Sequence, residues 1–95
     1  GVPQRAPYRP VDDWAAAAEQ YREAIHLAPS VPVPYRALGL LLDRMGDHAG
    51  ALAALERAAA LDPGGTVMDE KARALLDALR RGAAGRISPR AVQEN

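Results

Sequence analysis

Two amphipathic segments joined by the turn Met45-Gly46-Asp47 constrain the fold of this chain more than any other feature. Before the turn, apolar residues recur three or four positions apart, which places them on one face of a helix. The members of this first stripe are Tyr35, Leu38, Leu42 and Met45. The second stripe, after the turn, consists of Ala51, Leu52, Leu55, Ala58, Ala59 and Leu61. Because Gly46 suits a left-handed helix end and Asp47 can cap the next helix, the sequence predicts an αα-hairpin.

Part of this pattern occurs a second time, about 34 residues earlier in the chain. The residues that match across this offset are Ala51 with Ala17, Leu55 with Tyr21, Ala58 with Ala24, Leu61 with Leu27, and Pro63 with Pro29. The same shift places Trp14 in the position of His48. Five matches at one offset, with a sixth at an aromatic position, indicate an internal repeat.

The spacing resembles that of the tetratricopeptide repeat (TPR) family. Its elements are Tyr35-x2-Leu38-Gly39-x2-Leu42, then Gly46, then Ala51-x3-Leu55, then Ala58 and Pro63. The family pattern is W-x2-L-G-x2-Y, followed by A-x3-F and P. Tyr35 stands at the Trp position, and the small residues Gly39 and Ala51 are kept. The resemblance covers about residues 12–81 and implies an all-α fold of antiparallel helical hairpins, a fragment of an α-solenoid.

Three regions and about four helices are predicted. Residues 1–11 form a Pro-rich extended leader, since repeated prolines block a helix. Residues 12–81 form a TPR-like helical domain, with a half repeat at 12–29, a full repeat at 32–63 and a C-terminal capping helix at 66–81. A capping box at Thr66 opens the capping helix and Gly82 ends it. Residues 82–95 form a flexible tail.

Composition excludes several functional classes. The formal net charge is zero, which gives no general attraction to nucleic acid or to an anionic membrane. The chain has no cysteine and no apolar run near the roughly 18 residues of a membrane span. We therefore expect a soluble protein that binds neither nucleic acid nor membrane, and cytoplasmic is the favoured compartment. Because the chain starts with Gly rather than Met, we expect a fragment or a processed product.

No motif in the sequence supports catalysis. His26 and His48 lack partners at metal-ligand spacing, and Ser30, Thr66 and Ser88 lie in no nucleophile motif. We expect no enzymatic activity, no metal and no cofactor.

The resemblance to the TPR family points instead to a peptide-binding surface. In that family the first helix of each hairpin lines a concave groove. Carried onto this chain, the groove comprises Val33, Arg36, Ala37, Leu40, Asp43 and Arg44. Leu40 gives it an apolar centre with a polar rim, which suits a peptide. Arg36 matches a basic position of the chaperone-binding members, but Leu40 stands where they carry Asn, so their carboxylate clamp is not supported.

The first functional hypothesis is therefore a non-catalytic scaffold for protein–protein interaction, which binds a peptide segment or a neighbouring domain. One alternative is a helical accessory segment of a larger enzyme. Another is a self-assembly element. For that alternative, Trp14, Ala18 and Ile25 would form an uncovered patch for a homodimer, while Tyr21, Ala24 and Leu27 pack onto the hairpin.

Overall fold

Four helices form the described part of the chain in a computed structural model. The structure describes the backbone of residues 10–94 and the side chains of residues 13–82. The helices are α1 (Pro10–Leu27), α2 (Pro32–Arg44), α3 (His48–Ala60) and α4 (Glu70–Glu94). There is no strand in residues 10–94. The prediction of an all-α fold with about four helices is confirmed.

Main-chain hydrogen bonds close the turn between α2 and α3. Gly46 adopts φ 91°, a left-handed conformation that favours glycine. The Gly46 N–H donates to the Asp43 carbonyl (3.0 Å), and the Asp47 N–H donates to the Leu42 carbonyl (2.9 Å). This pair of bonds is a Schellman motif. The Asp47 carboxylate accepts the Gly50 N–H at 2.9 Å and so caps α3, as the sequence predicted.

A glycine in α2 permits the close approach of α2 and α3. A Cβ atom at Gly39 would lie 2.6 Å from Leu55 Cγ and 3.3 Å from the Ala51 carbonyl oxygen. Leu55 is completely buried. Any side chain at position 39 would therefore displace Leu55 or separate the two helices.

The core consists of two adjoining clusters. The first joins α1, α2 and α3 through Ala18, Leu38, Leu42, Ala51 and Ala54. The second joins α3 and α4 through Leu55, Ala58, Met68, Ala72 and Leu76. Half of these side chains are alanine, which lets the helices approach closely.

The patch predicted for a homodimer is wrong. Ala18 is only 2% exposed and lies in the first cluster, and Ile25 packs against that cluster. Leu27, predicted to pack onto the hairpin, is 74% exposed instead. The periodicity of α1 identifies an apolar side, but it does not say from which direction α2 approaches. A two-fold contact through Ala18 and Ile25 would require surface that the first cluster already covers.

The start of α4 differs from the predicted capping helix. Thr66 lies in the loop before the helix, and its N–H donates to the Asp62 carboxylate rather than opening a capping box. The same carboxylate accepts the N–H groups of Val67 (2.9 Å) and Met68 (2.8 Å). Asp69 then caps α4 by accepting the Ala72 N–H at 3.0 Å. Because Asp62 accepts the N–H groups of Thr66, Val67 and Met68, α4 begins at Glu70, four residues after the predicted start.

The end of α4 and the start of α1 also differ from the predicted boundaries. The backbone of α4 stays helical through Gly82 to Glu94, so the described part of the predicted flexible tail is helix. Gly82 occurs inside this helix, where glycine is tolerated although it weakens the helix. At the other end, Pro10 and Val11 belong to α1 rather than to an extended leader. A proline in the first helical turn loses no hydrogen bond, because the first N–H groups of a helix have no partner. The rest of the predicted leader lies outside the described residues.

The hydrogen bonds to Asp62 predict that the loop before α4 is sensitive to acid. The Met68 N–H above all, then the N–H groups of Val67 and Thr66, lower the pKa of Asp62 below its ordinary value. The resulting stabilisation is complete above the unfolded pKa of about 3.9 and is lost as the pH falls through the lower folded pKa. We expect Asp62→Asn to reduce the melting temperature at neutral pH and to flatten its decline below about pH 4.

Thermal melts followed by circular dichroism across an acid pH series measure this effect. Asp77→Asn is the matched control, since Asp77 is exposed and lies 3.9 Å from Arg81. If Asp62→Asn melts like the unmodified chain at every pH, the loop does not depend on this carboxylate.

Candidate functional site

The six predicted groove residues lie on one side of α2, and we call this surface the α2 stripe. Its members are Val33, Arg36, Ala37, Leu40, Asp43 and Arg44. Spacings of three and four residues place them on a common helix face. Leu38, Gly39 and Leu42 are buried elsewhere on α2, toward the core. Val33 is 56% exposed, and Leu40 is partly exposed. The stripe is therefore an accessible surface with apolar and charged side chains interleaved.

Arg36 connects the stripe to the beginning of α4. Its Nη2 atom donates to Asp69 Oδ2 at 2.8 Å, and the two side chains are 27% and 52% exposed. The Ala72 N–H, and next the Arg36 guanidinium, hold the pKa of Asp69 below its ordinary value. The Nε atom of Arg36 is buried and has no hydrogen-bond partner among the described residues. Arg36 is thus held in place by α4 while one of its donors stays unused.

Asp43 connects the other end of the stripe to α3. His48 Nδ1 lies 3.0 Å from Asp43 Oδ1, and the His48 side chain is 53% exposed. The sequence shows no partner for His48 at metal-ligand spacing, and Asp43 precedes it by five residues across the turn. The turn itself brings the two together, since Asp43 is in the last turn of α2 and His48 is the first residue of α3.

Next to Asp43 lies a cleft of about 390 Å³ between α3 and α4, which the sequence analysis missed. Its apolar wall consists of Ala49, Leu52, Leu75, Ala78 and Leu79, with Gly82 at one end. Asp43 and His48 supply the polar part of its lining. Leu52 was expected on a core face, but Leu52, Leu75 and Leu79 are each only partly buried. The sequence indicates this cleft in one way only. It has more leucines at these positions than the contact between α3 and α4 needs.

The arrangement offers surfaces that are suited to binding. Among the described residues, there is no group of three His, Asp or Glu side chains that could hold a metal ion. In the same part of the chain, every helix is too short or too polar to cross a membrane. What the site does offer is an apolar cleft, a charged rim and a helix face open to a partner.

Comparison with known proteins agrees with this architecture. Residues 32–64 match the family model described as Tetratricopeptide repeat, and the match spans α2, the tight turn, α3 and the residues just after it. No curated protein and no solved structure matches the chain significantly. Repeats of this family generally mediate protein–protein interaction. Residues 32–64, with Gly39 at the helix contact and Gly46 in the turn, are therefore a tetratricopeptide repeat.

Proposed function

We propose that this chain is a non-catalytic protein-interaction module. In this proposal the α2 stripe and the adjoining cleft together bind a peptide segment of a partner protein or a segment of a neighbouring domain. The observation that carries the proposal is the position of Asp43. It belongs both to the stripe and to the lining of the cleft, so the two form one continuous surface.

The chemistry of this surface suits a peptide with one apolar anchor. Binding energy at protein interfaces concentrates in a few side chains that fill desolvated pockets. The cleft offers such a pocket, lined mainly by leucine and alanine. From Val33 to Arg44 the stripe extends along α2 over eleven helical steps, or about 16 Å at 1.5 Å per residue. That length matches about five residues of an extended peptide.

The charged residues of this surface, Arg36 and Asp43, are held in position in the absence of a ligand. Arg36 is paired with Asp69, and Asp43 with His48, so both ends of the stripe are connected to other helices. Rigid binding groups lose less conformational freedom on association, which favours affinity. Exposed pairs such as these contribute little to stability, so their value here is in positioning.

A single charge in the middle of the stripe should abolish peptide binding. Peptides would first be selected from a random display library on the unmodified chain, and their affinity then measured by fluorescence anisotropy. We expect Leu40→Glu to weaken binding at least about tenfold, because it places a carboxylate at the apolar centre of the contact. Helicity should be unchanged, since Leu40 is partly exposed and lies outside both core clusters.

Leu27→Glu is the matched control for this experiment. It makes the same substitution at a leucine that is 74% exposed on α1, away from the stripe. Equal affinity of the selected peptides for the unmodified chain and for Leu40→Glu would reject the α2 stripe as the site. Loss of binding in Leu27→Glu alone would move the site to α1.

A further inference from the structure

The cleft between α3 and α4 combines an apolar wall with one carboxylate. Its volume of about 390 Å³ lies in the range usual for ligand pockets, about 300–1,000 Å³. Five of the residues that line it are alanine or leucine, and one is glycine. Apart from His48, Asp43 is the only ionisable side chain of the lining among residues 13–82. A ligand that fills the cleft therefore meets a single carboxylate.

One oxygen of this carboxylate has no partner in the part of the chain that the structure describes. His48 Nδ1 lies 3.0 Å from Oδ1 of Asp43, whereas no group of residues 13–82 donates a hydrogen bond to Oδ2. The Asp43 side chain is 29% exposed, so the carboxylate is within reach of a ligand. A neutral imidazole that donates through Nδ1 leaves the carboxylate its negative charge. Oδ2 can therefore accept a hydrogen bond from a positively charged group.

The neighbouring basic residues do not supply that group. Arg44 follows Asp43 in the sequence, but it does not line the cleft. Among the described side chains, the only ion pair of Asp43 is the one with His48. Arg80 and Arg81, at the cleft end of α4, lie 3.1 and 3.9 Å from other carboxylates. The positive charge that complements Asp43 must therefore come from the ligand.

The beginning of α3, which forms one edge of the cleft, does not favour an anion instead. Helix N-termini attract negative charge through their unpaired N–H groups. Here the Asp47 carboxylate already lies at this end of α3, where it accepts the Gly50 N–H at 2.9 Å. Residues 43–48 thus carry two carboxylates against one guanidinium. The charge at this edge of the cleft complements a cation.

We propose that the cleft binds a peptide that carries lysine or arginine within two positions of its apolar anchor. The inference rests on the proposed peptide-binding function and adds the chemistry that selects the ligand. The anchor packs against the leucines of α3 and α4, and the basic group donates to Oδ2 of Asp43. In an extended peptide, residues two positions apart point to the same side, so both side chains can reach one cleft. The methylene groups of lysine or arginine pack on apolar surface while the charged end stays hydrated.

Selection from a random peptide display library gives the first readout. Parallel selections use the full 95-residue chain and its Asp43→Arg variant, which reverses the charge in the cleft. We expect the unmodified chain to enrich lysine and arginine near an apolar residue at least about threefold over the unselected library. The Asp43→Arg variant should enrich aspartate and glutamate there instead, because it repels a cation.

A double-mutant cycle gives the second readout. The tightest selected peptide is compared with a version in which glutamine replaces its basic residue, on the unmodified chain and on Asp43→Asn. Asparagine keeps the shape of aspartate and an oxygen that accepts from His48, so we expect the fold to be retained. Glutamine should weaken binding to the unmodified chain about fivefold, and binding to Asp43→Asn by less than about twofold.

Matched controls test whether the effect belongs to the cleft. Asp77→Asn removes a carboxylate of α4 that does not line the cleft, and it should leave the effect of glutamine at about fivefold. Ala78→Phe places a ring in the cleft and should weaken every selected peptide at least about tenfold. Ala53→Phe makes the same change at an exposed alanine of α3 outside the lining, and it should bind normally.

The other outcomes overturn this proposal, and they separate it from the function on which it rests. Selected peptides that Leu40→Glu weakens, but that show no enrichment of basic residues, would remove the cation and leave the interaction function intact. An equal effect of glutamine on Asp43→Asn and on the unmodified chain would place the cation elsewhere. Binding that Ala78→Phe leaves unchanged would place the anchor outside the cleft. If no selected peptide is weakened by Leu40→Glu or by Ala78→Phe, the proposed function itself fails.

Discussion

Replacing Leu55 with alanine should lower the free energy of unfolding by about 2–5 kcal/mol, the usual cost of truncating a buried leucine. Leu55 is the largest fully buried side chain among residues 13–82, and it lies between Gly39 of α2 and the residues of α4. Its removal leaves a cavity where three helices meet. A small domain has roughly 5–15 kcal/mol of total stability, so this loss is a large part of it.

Urea denaturation followed by circular dichroism measures the loss. Leu27→Ala is the matched control, because it removes the same atoms from a side chain that is 74% exposed. We expect the control to change stability by no more than about 0.5 kcal/mol. Equal denaturation midpoints for the two variants would contradict the packing of Leu55 between the helices.

Replacing Gly39 with leucine should destabilise the hairpin by about 1–3 kcal/mol through overpacking. Two effects oppose each other at this position. Leucine favours a helix over glycine by up to about 1 kcal/mol. Against this, the Cβ atom alone would lie 2.6 Å from Leu55 Cγ, and leucine adds three further carbons. The contact is with the branch point of a buried side chain, so Leu55 cannot simply rotate away.

The same substitution at Gly82 provides the control for Gly39→Leu. Gly82 lies in α4, and a Cβ atom there would meet no atom within 4 Å. Gly82→Leu should therefore be neutral or stabilise by up to about 1 kcal/mol through helix propensity. The melting temperatures of the two variants, compared with that of the unmodified chain, test this prediction. A melting temperature for Gly39→Leu at or above that of the unmodified chain would refute the register of the repeat.

The candidate site could be predicted only in part. Helical spacing was sufficient to place Val33, Arg36 and Leu40 on one face of α2, because that depends on α2 alone. The partners of this face could not be inferred from spacing. Arg36 reaches Asp69, which is 33 residues away, and Asp43 meets His48 only because the turn folds back. The cleft could not be predicted, because it forms where α3 packs against α4 and no local pattern in the sequence specifies that packing.

What the sequence determined by itself is local. Gly46 favours a left-handed turn, Asp47 caps the helix that follows, and Gly39 lets two helices approach closely. The hairpin could therefore be predicted from the sequence. Only the tertiary structure decided that Asp62 takes the loop donors and delays α4, and that Ala18 faces α2 while Leu27 stays exposed. The physical reason is that an apolar stripe records which side of a helix avoids water. It does not record which neighbour covers that side, because hydrophobic burial has no direction of its own.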